Sequence, residues 1–139
     1  MYKLVHGILP SGQNLKRWNL SETDECTISK VSDDALHVIF RCNRLNQFWN
    51  DVSTFCSNLP ISNQSMDIEF TDILFGTGNR DVDVIIVNAA YVAFKTWCKY
   101  RENNNFMHLN VLPLLIKELK TVCMIENRLT ALKRKITEM

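Results

Sequence analysis

Apolar residues recur three and four positions apart over most of the chain, the spacing that lines one face of an α-helix. Leu4, Val5, Ile8 and Leu9 carry it first, up to the break at Pro10-Ser11-Gly12. Ser11 is placed to cap a short helix, "GQNLKRWN", bearing Leu15 and Trp18. Residues 24–33 are polar and turn-like, and Asp33 or Asp34 suits the N-cap of "ALHVIFRC". Leu45, Phe48, Trp49, Val52, Phe55, Cys56 and Leu59 form the clearest stripe, stopped by Pro60. "FTDILFG" reads as one helical turn ended by Gly76. Residues 81–102 are the longest apolar segment. Its β-branched start allows a strand, but its length and alanines favour a buried helix. After the polar "RENNNF", a last helix is expected over 109–136, with Pro113 tolerated near its first turn. Its Leu112, Leu115, Leu119 and Val122 run in heptad spacing, and Ile125, Leu129, Leu132 and Ile136 resume it after a three-residue step.

This pattern predicts an all-α fold of about six helices, with 81–102 and 109–136 as an antiparallel hairpin because their link is short. The chain divides by pattern into residues 1–60, which hold the turn-like segment, and 61–139, a helical tail.

Composition narrows the class. The 139 residues suffice for one domain with a modest core. A net charge of +1 favours neither nucleic acid nor membrane, so only local clusters of charge can argue for a partner. No apolar run approaches the length of a membrane span, and the N-terminus lacks the pattern of a signal peptide. The five scattered cysteines then suggest a reducing, intracellular compartment, cytoplasmic or nuclear, and the sequons at Asn19 and Asn63 read as chance.

The candidate chemistry lies in "DECTISKVSDDALHVIFRC", residues 24–42. Zinc takes tetrahedral sulfur and nitrogen ligands, commonly two on a tight turn and two on a following helix. The order Cys26-x2-Ser29-x7-His37-x4-Cys42 supplies three such ligands, with a serine, a poor zinc ligand, at the remaining position. Asp24, Asp33, Asp34 or His6 could complete the set only by folding in. His37 and Cys42 are five apart and share a face only if the helix ends or distorts before Cys42. A helix with His and Cys on an apolar face is also ordinary core, and the residues alone leave both readings open. "SDD" at 32–34 reads as a helix cap, Cys56, Cys98 and Cys123 as buried thiols, and nothing in the chain argues for catalysis.

"HGILPSGQNLKRWNLSETDEC" followed by "LHVIFRCNRLNQFWNDV" resembles the zinc-binding segment behind the polymerase of LINE-type (non-LTR) retrotransposon reverse transcriptases. Leu9-Pro10-Ser11-Gly12 matches that family's opening, Cys26, His37 and Cys42 match three ligands of C-x2-C-x7-H-x4-C, and Phe48-Trp49 match the closing aromatic pair. Ser29 departs from it, standing where the second cysteine belongs. "ILFG" and "IIVNAAYVAFKTWCKYREN" look like the family's helical tail. The resemblance implies a zinc-knuckle-type segment and a non-catalytic accessory role, with RNA or DNA and the rest of a reverse transcriptase as partners.

Lys16, Arg17, Trp18, Lys30, Arg41 and Arg44 surround the candidate site and supply what RNA or single strands need, phosphate neutralisation and base stacking. Trp49 reads as core and Trp18 can serve either purpose. The alternative is a helical structural or protein-interaction module, or an element remnant, without nucleic-acid binding.

Overall fold

The computed structural model describes residues 9–26, 29–59, 67–102 and 112–125. The expected helix at 4–9 therefore lies outside the described residues save for Leu9, as do the link 103–111 and the last helix beyond 125.

Five α-helices are described: α1, Gly12–Arg17; α2, Asn46–Ser57; α3, Phe70–Phe75; α4, Arg80–Glu102; and α5, Leu112–Ile125. Ser11 caps α1 as its sequence suggests, its Oγ accepting from the Asn14 N–H at 3.3 Å. Asn14 is buried and donates from Nδ2 to Leu9 O at 2.7 Å, which folds the entering chain back on the helix. A 3₁₀ turn, Asn43–Leu45, leads into α2. Every residue of the 45–59 stripe is buried, and Trp49 is core, its indole donating to Ile39 O at 2.9 Å. Gly76 ends α3 at φ +80°, a left-handed angle that favours glycine.

α4 is helical from its first turn, where Asp81 and Asp83 suit the positive end of the helix. Tertiary burial decides against a strand: Val82, Ile85, Ile86, Ala89, Val92, Ala93 and Trp97 line one buried side. α4 touches α2, α3, α5 and the segment leading out of the 24–33 turn, so it is the shared wall of the molecule. Leu115 and Leu119 of α5 are buried against this core, and the exposed pair Lys95 Nζ–Glu118 Oε1 spans α4 and α5 at 3.5 Å. One hydrophobic cluster runs from Leu9 and Cys26 to Leu119, joining residues from both sides of position 60. Among the described residues the only β pairing is a single antiparallel bridge, Glu25 with Ser32, and no helix is long and apolar enough to cross a membrane.

Candidate metal centre

The turn at 24–33 is built by its backbone. Asp33 N donates to Asp24 O at 2.6 Å, Cys26 N to Val31 O at 2.8 Å and Lys30 N to Cys26 O at 2.9 Å. Lys30 takes a left-handed φ of +58°, which tightens the reversal just after Ser29. α1 clamps the outside of the turn: Gln13 N donates to Asp33 O at 3.0 Å, and Gln13 Nε2 to Ser32 Oγ at 3.0 Å. The approach is close enough to require glycine at position 12, where a Cβ would fall 2.7 Å from Asp33 Cβ and 2.9 Å from Asp24 O. The turn thus presents Cys26 and Ser29 from a fixed frame.

His37 and Cys42 come from the next segment. Asp34 caps it, its Oδ1 accepting from His37 N at 2.8 Å. Residues His37–Arg41 then form a π turn, not the α-helix expected for "ALHVIFRC". Cys42 N donates to His37 O at 3.0 Å, an i to i+5 closure. The wider turn answers the spacing problem. In an α-helix two residues five apart point about 140° away from each other; the five-residue turn brings them back to one side.

The Cys26, His37 and Cys42 ligand atoms all lie within 4.8 Å of one another, and all three residues are buried. Cys26 Sγ and Cys42 Sγ stand 3.8 Å apart, far from disulfide bonding. Two thiolates on one tetrahedral ion at ~2.3 Å each are separated by about 3.8 Å, so the pair already has the spacing of metal ligands. Ser29 Oγ is 3.7 Å from Cys42 Sγ and accepts the Asn43 N–H at 3.2 Å. The serine therefore borders the cluster beside Cys42. His37 Nε2 is buried and makes no hydrogen bond, lying 3.9 Å from Asp33 Oδ1. These residues can hold a metal ion. Asp24, Asp33 and Asp34 do not join the cluster, and His6 lies outside the described residues.

The charges are specific. The Cys42 thiol is pushed up from its ordinary range, first by its hydrogen bond with Cys26 and then by burial, while the Arg44 N–H and the Ser29 hydroxyl pull the other way. The Cys42 thiol therefore keeps its proton without a metal, and an ion must displace that proton to bind. Burial lowers the Arg44 pKa, opposed by the charges of Cys42, Cys26 and Asp33. Arg44 is half-buried and therefore less available to a phosphate than the exposed Arg41. Lys16, Arg17, Lys30 and Arg41 are exposed, as is Trp18 at 42%. Cys56 is buried, its thiol pushed up to about 12 by burial, whereas Cys98 is half-buried and the Cys123 side chain lies outside the described residues.

Asp33 and Trp97 meet in a contact that the sequence does not show, although Asp33 is among the cap candidates and the residues that could complete the site by folding in. Asp33 turns inward, leaving the cap to Asp34, and its Oδ2 accepts from Trp97 Nε1 at 2.8 Å across 64 positions. Such a contact is a product of the fold and leaves no local pattern. Comparison with protein families, with curated proteins and with solved structures returned no match.

Proposed function

We propose that this chain is a non-catalytic nucleic-acid-binding accessory module, in which a zinc ion held by Cys26, His37 and Cys42 fixes a basic, partly aromatic surface. The convergence of the three ligand atoms within 4.8 Å carries the reading. Two soft thiolates and an imidazole suit zinc. The charges suit it too: Arg44 and Asp33 offset each other, and two thiolates are neutralised by one divalent ion. The ion would serve structure, with the Ser29 hydroxyl or a water completing the shell. Lys16 and Arg17 end α1, Trp18 follows them, Lys30 sits on the turn and Arg41 ends the π turn, all exposed. Such cations neutralise phosphates while an exposed indole stacks a base. The resemblance to the zinc-binding segment of LINE-type reverse transcriptases supports the same reading, with template RNA or target DNA and the rest of a polymerase as partners. The Lys95–Glu118 pair and the short link support the proposed antiparallel arrangement of α4 and α5.

A salt titration of single-stranded RNA binding by the zinc-loaded protein tests this. Four exposed cations give an expected slope of about −3 in log K against log salt, and elemental analysis is expected to give one zinc per chain. A protein that fails to bind RNA at low salt refutes the reading and favours a helical interaction module. Val87 and Tyr91, exposed one turn apart on α4 at 46% and 51%, are the observation in favour of that alternative.

A further inference from the structure

Asp33 is 5% exposed, and a carboxylate is expensive to bury unless its charge is used. It does not cap the helix, a task Asp34 performs. Nor does Trp97 need a carboxylate, since a backbone carbonyl satisfies the buried indole of Trp49. What distinguishes Asp33 is its place between three elements. From its own turn, its Oδ2 takes the Trp97 indole N–H of α4 at 2.8 Å, and its Oδ1 stands 3.9 Å from His37 Nε2 of the π turn. A carboxylate facing the other, non-ligating nitrogen of a metal-bound histidine orients the ring and raises its basicity, which here gives Nε2 to Asp33 and Nδ1 to the metal.

We propose that Asp33 is a positioning residue of the metal site: held by Trp97, it sets the His37 ring, so that the packing of the turn on α4 tunes metal affinity. This rests on the metal reading above. Two substitutions separate it from a merely structural role. Asp33→Asn keeps the shape and an acceptor for Trp97 but removes the charge. Trp97→Phe keeps an aromatic side chain but removes the donor. Zinc affinity is measured by competition with a chromophoric chelator, and the ligand field by the visible absorption of cobalt(II) in the same proteins. Each variant is expected to bind zinc about 10- to 100-fold more weakly, with a shifted cobalt spectrum. Metal-free far-ultraviolet circular dichroism should stay that of the parent, and Asp34→Asn, which keeps a good cap, should retain parental affinity. If Asp33→Asn does not fold, Trp97→Phe decides. Parental zinc affinity and cobalt spectra in both variants overturn the role of Asp33 and leave the metal site standing. A parent protein that binds no zinc takes down the metal reading and this inference with it.

Discussion

Replacing Ser29 by cysteine probes the metal centre where the sequence departs from a full ligand set. The Ser29 Oγ lies 3.7 Å from Cys42 Sγ on a turn fixed by backbone and side-chain hydrogen bonds, so a sulfur there needs only a small adjustment to reach a tetrahedral edge. Structural zinc with four ligands contributes ~10–16 kcal/mol, or about 3 kcal/mol per ligand if shared evenly. Exchanging a neutral hydroxyl for a thiolate is therefore expected to tighten zinc binding by about two orders of magnitude. With free zinc above both dissociation constants, a hundredfold gain adds about 2.7 kcal/mol to folding stability. For a chain of this size that raises Tm by about 10 °C. The assay is thermal unfolding in a zinc buffer, repeated with a chelator, for the parent, Ser29→Cys and Ser29→Ala. Ser29→Ala should lose about 1 kcal/mol with or without zinc, because the Asn43 N–H loses its acceptor. A Ser29→Cys protein with the same midpoint in zinc and in chelator would refute the reasoning, and residues 26–42 would then be read as a small core.

Three other perturbations separate the parts of the account. Trp18→Ala should weaken single-stranded RNA binding by about 1–3 kcal/mol in a fluorescence anisotropy titration, at unchanged urea midpoint, whereas Trp49→Ala should cost about 3–5 kcal/mol of stability. Stability of the metal-free protein should fall as pH rises above 9. Cys56 is raised from 9.0 to about 12, and Cys42 moves the same way, so the unfolded chain ionises first while the folded thiols stay neutral. The loss is at most about 1.4 kcal/mol per pH unit per thiol, and urea midpoints between pH 8 and 10.5 should fall less steeply in Cys56→Ala. Gly12→Ala should destabilise by about 1–3 kcal/mol in urea, since its new Cβ meets Asp33 Cβ at 2.7 Å and Asp24 O at 2.9 Å; an unchanged midpoint would show that α1 is not clamped on the turn.

What could be read from the sequence was local. The stripe at 45–59, the Ser11 cap, the Gly76 stop and an inward Trp49 all follow from periodicity or from the chemistry of one residue, and all appear in the fold. Cys26, His37 and Cys42 were visible as ligand types at a suggestive spacing, and they converge. The device that makes five-residue spacing work, the π turn, was legible only as a requirement, because no residue in "HVIFR" announces it. The capping box of α3 escaped notice because Glu69 is an unusual N-cap and its partner Asp72 replaces the common glutamate. The inward turn of Asp33 and the burial of Arg44 could not be read at all. Arg41 and Arg44 look alike in sequence, yet one is exposed and the other half-buried by the fold.

The π turn also decides how this stretch can change length. It amounts to one residue more than an α-helical turn between His37 and Cys42. Deleting a residue from 38–41 would leave the ligands four apart, a spacing an ordinary α-helix already puts on one face. Inserting one would leave them six apart, about 120° off a common face in an α-helix and beyond what a single widened turn recovers. The segment is therefore tolerant of shortening and intolerant of lengthening, an asymmetry set by backbone ring size and indifferent to the side chains in between.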